Sequence, residues 1–302
     1  MPRYCLLTVD VEPDDVWNDF RSRSFNNLSG LLAMQNQCDR YGIRPTYLVT
    51  YSVAADPGYR SALQRLASDG RCEIGAHPHL WEIPPWHPLD DGPSMGTDYP
   101  AAVRAEKLAN LVNLLNQNFS PVRCHRAGRW GFEAAHANAL ARLGLRADSS
   151  ITPGMDWSSS GGPNFRQADT APSMIAGVIE MPCTIRPARL RREGLDSRPV
   201  VAGVLRRLNL GPQWLRSRPG ISPSHLRRLS DWGLETFGVA NLMTHSSELI
   251  PKGSPYWSTP QAVARHFASH EVLFQAWHRQ GVRSITLGEC FDLRSDLVRA
   301  QG

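Results

Sequence analysis

Two histidines one residue apart, in His77-Pro78-His79, can meet a single cation from an extended loop. Zinc takes imidazole nitrogen and carboxylate oxygen in a tetrahedral shell and keeps one position open for water when it is catalytic. Asp10 and Glu12 lie two apart, so on a strand extension their carboxylates point the same way. One can bind the cation while the other stays free as a base. A His-x-His pair also occurs as loop histidines capping backbone groups, and it is the carboxylate pair that favours a metal. His245, at the end of Val-Ala-Asn-Leu-Met-Thr, could be a satisfied core histidine. At the mouth of a hydrolytic site it becomes a general-acid candidate, because imidazole titrates near neutrality. Arg126 would be expensive to bury unpaired, and Asp10 is its expected partner, kept ionised and held in one rotamer by it.

These residues share a position: each follows a run of strand length. Asp10 and Glu12 follow Tyr4–Val9, His77 and His79 follow Glu73–Gly75, Arg126 ends Val122–Arg126, Asp148 ends Leu145–Asp148, and His245 follows Val239–Thr244. Thr46–Thr50, Val178–Pro182 and Arg283–Leu287 read as further strands. Between them lie helical patterns over Asn27–Tyr41, Pro57–Asp69, Pro100–Phe119, Phe132–Leu143, Ser224–Thr236 and Thr259–Gln280, several ended by Gly. Residues 151–175, rich in Gly, Ser and Pro, read as a long loop. Serial βα units imply an α/β fold with a parallel sheet, either an open doubly wound sheet or a barrel. Residues at the C-terminal ends of parallel strands converge on one mouth, where barrel enzymes place their chemistry.

With 302 residues, 41% hydrophobic and 20% charged, the chain can bury a sizeable core. No repeat or sharp linker divides it, so residues 1–302 are expected to form a single catalytic domain. No apolar run approaches the ~18 residues of a membrane span. Asp10 arrives too early for a signal peptide, and the six cysteines are scattered without a Cys-x-x-Cys pair. Both features point to a cytoplasmic protein with reduced thiols. The net charge of +5 does not indicate nucleic acid: of 33 basic residues only Lys107 and Lys252 are lysines, a ratio that suggests genome base composition. Residues 186–228 nevertheless carry eleven arginines against Glu193 and Asp196. That stretch reads as an insertion, either simply solvated or facing an anionic lipid or pyrophosphate headgroup at the inner membrane.

Taken in order, the motifs resemble those of the polysaccharide deacetylases, the NodB-homology group of carbohydrate esterase family four. Thr8-Val-Asp-Val-Glu-Pro-Asp14 looks like the first motif in an Asp-x-Glu variant, and Glu73-Ile-Gly-Ala-His-Pro-His-Leu-Trp81 like the second. His125-Arg-Ala-Gly-Arg-Trp-Gly131 resembles the third, Asp148-Ser-Ser150 with Asp156-Trp157 the fourth, and Leu242-Met-Thr-His245 the fifth. The resemblance implies a distorted parallel (β/α) barrel of about seven strands, a divalent metal, usually zinc, and hydrolysis of an N-acetyl group on a sugar. Carried across, Asp10 is the base that activates water, Arg126 orients it, His245 protonates the departing amine, and a motif-four aspartate, Asp148 or Asp156, tunes His245. Two departures shift the ligands. Val11 follows Asp10, which passes the metal carboxylate to Glu12. Trp81 stands four beyond His77, which passes the second nitrogen to His79, with His87 in reserve. Cobalt, nickel or manganese would also suit such a site. A backbone N–H near Arg129–Trp130 is expected to face the oxyanion. Trp81, Trp86, Trp130 and Trp157 either stack on a sugar ring or pack the barrel mouth. A deformylase or other amidohydrolase, and a non-catalytic sugar-binding protein, are the alternative readings.

Overall fold

The run Tyr-Cys-Leu-Leu-Thr-Val-Asp-Val is buried at every position and forms β1 (Tyr4–Val11), the strand around which the sheet is built. A strand apolar on both faces needs cover on both, which parallel βα architecture supplies. The protein is described by a computed structural model over residues 2–188 and 211–298. The further strands are β2 (Thr46–Val49), β3 (Glu73–Ala76), β4 (Cys124–His125), β5 (Ala147–Asp148), β6 (Ser173–Ile175), β7 (Val178–Glu180), β8 (Ile185–Arg186), β9 (Gln213–Trp214), β10 (Val239–His245) and β11 (Arg283–Ser284). The main sheet runs β10-β1-β2-β3-β4-β5-β7-β6, with β11 beside the start of β1. Every pairing in it is parallel except that of β6 with β7.

The sheet curls into a distorted barrel whose seam has no strand pair among the described residues: one backbone bond, Thr184 N–H to the Asn241 carbonyl at 3.4 Å, crosses it together with side-chain bonds. Asn241 of β10 donates its Nδ2 to the carbonyls of Met181 (3.3 Å) and Pro182 (3.2 Å), just beyond β7. Its own N–H is taken by Thr184 Oγ1 at 2.8 Å. Register then decides which residues meet. Asp10 lies opposite His245, Ala76 opposite His125, and His125 opposite Asp148.

Helices α1 (Leu28–Asp39), α2 (Tyr51–Ala55), α3 (Pro57–Ser68), α4 (Ala101–Asn118), α5 (Ala134–Arg142), α6 (Pro223–Phe237) and α7 (Pro260–Arg279) lie between the strands. Three begin with Pro behind a capping side chain: Asp56, Ser222 and Thr259 accept from the N–H groups of Tyr59 (2.7 Å), His225 (3.2 Å) and Ala262 (3.2 Å). Proline loses nothing at that position, since its missing N–H would have been an orphan.

The expected loop over 151–175 is interrupted. Its last residues form β6, which turns back into β7 through Ala176 and Gly177 at φ 49° and 80°. A two-residue hairpin of type I′ needs positive φ at both positions, and Ala is an unusual occupant of the first. At the other end, Arg283 and Ser284 alone of the expected strand Arg283–Leu287 pair with β1, whose register with β2 begins at Thr8. The arginine-rich insertion expected over 186–228 lies partly outside the described residues.

Lys107, on α4, is fully buried and pins the loop that follows His79. Its ammonium donates to the carbonyls of Leu80 (2.9 Å) and Ile83 (2.6 Å) and to both carboxylate oxygens of Asp90 (3.0 and 2.9 Å). Burial raises the Asp90 carboxyl, but bonds from Lys107, Tyr99 and the His87 N–H outweigh it and hold the group below its ordinary value. A depressed carboxyl stabilises above its unfolded pKa of about 3.9 and loses that contribution as pH falls. Asp90→Asn should therefore cost about 2 kcal/mol at pH 7, less than a fully buried pair because Asp90 keeps some solvent. Urea midpoints of the two proteins should converge towards pH 3; a gap that persists there would assign the cost to shape rather than charge.

Candidate active site

Glu12 lies just past the end of β1, and its backbone is clamped. Its N–H meets Ser246 Oγ at 3.1 Å, and its carbonyl accepts from Asn27 Nδ2 at 2.8 Å and Ser246 Oγ at 3.2 Å. The carboxylate faces two imidazoles: His77 Nε2 and His79 Nε2 stand 3.0 and 3.3 Å from the same Oε1. His77 Nδ1 is 2.9 Å from the carbonyl of Arg126. A carbonyl only accepts, so Nδ1 carries the proton and Nε2 presents its lone pair to Glu12. Two acceptor atoms that close are reconciled only by a proton or a cation between them. This donor set fits a divalent metal: one carboxylate and two imidazoles, with the His77 tautomer fixed from behind. The three ligand atoms lie within 4.8 Å of one another, as do those of a second set, Asp10, Glu12 and His245.

The loop bearing these ligands is held tightly. The His79 ring stacks on Trp81 at 4.4 Å, and Trp81 Nε1 donates to the Phe20 carbonyl at 3.0 Å. Gly128 lies against the same loop, where a Cβ would come within 2.4 Å of the Pro78 carbonyl and 2.5 Å of the His79 ring. Beyond Gly128, Arg129 and Trp130 both adopt left-handed φ, 52° and 63°. Side-chain-bearing residues there cost about 1–3 kcal/mol each and concentrate at functional sites.

Arg126 is fully buried and every arm of it is used. Nε donates to the Ser149 carbonyl (2.8 Å), Nη1 to Asp10 Oδ1 (2.7 Å), and Nη2 to Thr8 Oγ1 and Ser149 Oγ (2.8 Å each). Burial pushes the Asp10 carboxyl up, but the permanently charged Arg126 guanidinium beside it holds it below the usual range. The free oxygen Oδ2 faces His245 Nε2 at 3.7 Å and His77 Nε2 at 3.9 Å.

The structure thus brings Asp10, Glu12, His77, His79, Arg126 and His245 to one mouth, and leaves others elsewhere. Asp148 is turned to His125 instead of His245: its Oδ1 lies 2.6 Å from His125 Nδ1 and accepts from Ser150 Oγ at 2.8 Å. The β4–β5 register makes it so. Glu180 beside it is driven well up by burial and by the Asp148 charge, so Glu180 keeps its proton and Asp148 stays ionised. Asp156 caps the Ser158 N–H at 3.0 Å and pairs with Arg166 at 3.4 Å. The groups that do meet His245 are Arg216 and Glu248, neither of which stood out in the sequence. His87 caps a turn, accepting from the Leu89 N–H at 3.2 Å, and belongs to neither converging set. Trp81 and Trp130 are buried, the latter under the Arg126 guanidinium at 5.4 Å, and Trp157 stacks behind Trp130 at 6.4 Å. The Trp130 N–H, one of the expected oxyanion donors, is spent on the Ala127 carbonyl at 3.1 Å. The aromatic that overlies His245 is Trp17, edge-on at 4.9 Å and 37% exposed. Trp86 is 71% exposed, in a cleft lined also by Trp81, His87, Asp91, Arg21 and Arg23.

No protein-family model matches the sequence, and no curated protein matches it. Solved structures do share its fold. A candidate glycoside hydrolase or deacetylase from Parabacteroides distasonis superposes with a TM-score of 0.61 at 13% identity, over 97% of this chain and 71% of that one. A candidate polysaccharide deacetylase from Mycobacterium smegmatis gives 0.52 at 14% identity, over 94% and 93%. A 4-alpha-glucanotransferase from Thermococcus litoralis gives 0.52 at 11%, over 96% of this chain and 38% of that one. Likeness of this degree fixes the fold and leaves the chemistry to the site.

Proposed function

We propose that the chain belongs to the polysaccharide deacetylases and removes an N-acetyl group from an amino sugar by metal-dependent amide hydrolysis. The observation that carries this reading is the pairing of an ionised Asp10, clamped by Arg126 at 2.7 Å, with the converging nitrogens of His77 and His79 on Glu12. The fold shared with deacetylase candidates from two bacteria supports it.

A divalent cation held by Glu12, His77 and His79, zinc first and cobalt, nickel or manganese as alternatives, would supply polarisation of the acetyl carbonyl and acidify the attacking water. Asp10 takes the proton from that water through Oδ2, the oxygen that Arg126 leaves free. Arg126 keeps the carboxylate ionised and pointed. His245, on the next strand and in register with Asp10, presents Nε2 to the departing nitrogen. Trp17 at the mouth and Trp86 in the adjoining cleft offer apolar faces to sugar rings. The whole chain acts as one catalytic unit. Its arginine-rich stretch suits a sugar carried on an anionic lipid or pyrophosphate, a contact that neutralising Arg206 and Arg207, outside the described residues, would weaken.

The test is acetate and formate released by purified protein from a panel of N-acylated sugars, before and after chelation. Chelation should abolish acetate release, and adding back zinc should restore it. Formate in place of acetate would move the reading to a deformylase. A tight sugar complex with no release from metal-loaded protein would leave only a binding role.

A further inference from the structure

The two histidines that face Asp10 are wired in opposite senses through their far nitrogens. Behind His77 Nδ1 stands a carbonyl, an acceptor. Behind His245 Nδ1 stands Arg216 Nη2 at 3.0 Å, and a guanidinium is donor only and permanently charged. Nδ1 of His245 must therefore accept, and the single ring proton must sit on Nε2, the nitrogen that faces Asp10. The carboxylate that could draw a proton to Nδ1, Glu248, brings Oε2 only to 3.6 Å from it, beyond hydrogen-bond reach, and is engaged elsewhere. Glu248 gives Oε1 to Arg216 at 2.8 Å, and Oε2 to Thr244 Oγ1 at 2.9 Å and the His245 N–H at 3.1 Å. Arg216 itself is 4% exposed and does not swing freely. It packs over the Trp214 and Tyr256 rings at 5.6 and 5.4 Å, and the Leu215 N–H is fixed on the Thr184 carbonyl at 2.8 Å.

We infer that Arg216 is a positioning residue that locks His245 in its Nε2–H form, so that His245 is excluded from the metal shell and donates a hydrogen bond to the reacting amide. A nitrogen that carries a proton cannot ligate a cation. Of the two overlapping candidate sets, Asp10 with Glu12 and His245 is thereby ruled out, and Glu12 with His77 and His79 remains. The inference rests on the hydrolase reading for its last clause, and it changes the proton inventory there. As the C–O bond forms and the C–N bond breaks, the proton Asp10 takes from water passes on to the amine nitrogen. The second water proton leaves with the acid product. His245 lends its Nε2–H throughout and returns to its starting form, a role open to a neutral imidazole whose far nitrogen is filled.

The decisive measurement is the ¹⁵N spectrum of His245 in the full chain, assigned through a His245→Gln variant. The expected signature is a pyridine-type Nδ1 and a pyrrole-type Nε2. In Arg216→Met the signature should be lost to a mixture, with kcat down by about 10- to 100-fold and KM little changed. Arg216→Lys, which keeps a cationic donor, should recover much of both. A pyrrole-type Nδ1 in the parent protein overturns the inference whether or not any variant folds, and so does an unchanged signature in a folded Arg216→Met. If the signature appears but no amide is cleaved, the hydrolase reading falls and the Arg216 lock stands.

Discussion

Asp10→Asn should lower turnover by on the order of 10³-fold while leaving metal uptake intact, a loss of about 4 kcal/mol of transition-state stabilisation. Asparagine keeps the shape of the side chain, and its Oδ1 can still accept from Arg126 Nη1, now 2.7 Å from the carboxylate. What it lacks is a site for the water proton. The three ligands of the metal set remain, since Glu12, His77 and His79 converge without Asp10, whose nearest approach to them is Oδ2 to His77 Nε2 at 3.9 Å. The same change removes the carboxylate that Arg126 pairs with, and stripping one partner from a buried pair costs about 3–5 kcal/mol. Turnover must therefore be read well below the lowered melting temperature, per mole of metal-loaded protein, with metal content measured by atomic emission. Activity within tenfold of the parent at full metal content would mean that another group takes the proton.

Most of this site was legible because of where its residues stand, rather than what they are. Each follows an apolar run, and parallel strands align their C-terminal ends, so Asp10 and His245 come to face each other once β1 and β10 pair. What remained hidden depends on contacts far apart in sequence. Arg216 looked like one of many compositional arginines, and nothing local marks it as the partner of a histidine 29 residues on. Trp17 lies in the loop after β1, but no spacing sets it apart from the tryptophans nearer the histidines, and its contact with His245 exists only in the folded chain. The resemblance implies a motif-four aspartate, Asp148 or Asp156, beside His245, but the β4–β5 pairing sets Asp148 beside His125 and Asp156 caps the Ser158 N–H. Barrel closure through the Asn241 amide has no sequence signature, since asparagine inside an apolar strand reads as a blemish until its carbonyl partners are known. That amide also donates to Ser149 Oγ at 3.0 Å, the hydroxyl that accepts from Arg126, so the seam of the barrel and the clamp on Asp10 form one network.

That network makes Arg126→Lys far from conservative. A planar fork reaches four acceptors on three sides: the Ser149 carbonyl and hydroxyl, the Thr8 hydroxyl and the Asp10 carboxylate. A lysine ammonium is a point charge on a longer stem and cannot face all of them. It would keep the ion pair and orphan at least one buried oxygen, each orphan costing about 1–3 kcal/mol. We expect a loss of about 3 kcal/mol in stability and of about 10²-fold in turnover, the latter because an Asp10 carboxylate that can rotate spends less time with Oδ2 presented to water. Arg126→Met should do worse. It leaves Asp10 buried without its cation, and burial, no longer opposed by the guanidinium, moves the carboxyl upward so that less of the base is ionised at a given pH. Its activity should then recover partly as pH rises, while that of the lysine variant should not. Urea unfolding and pH–rate profiles of the three proteins separate these effects. A lysine variant as stable and as active as the parent would show that charge alone holds Asp10, and that the fork has no part in it.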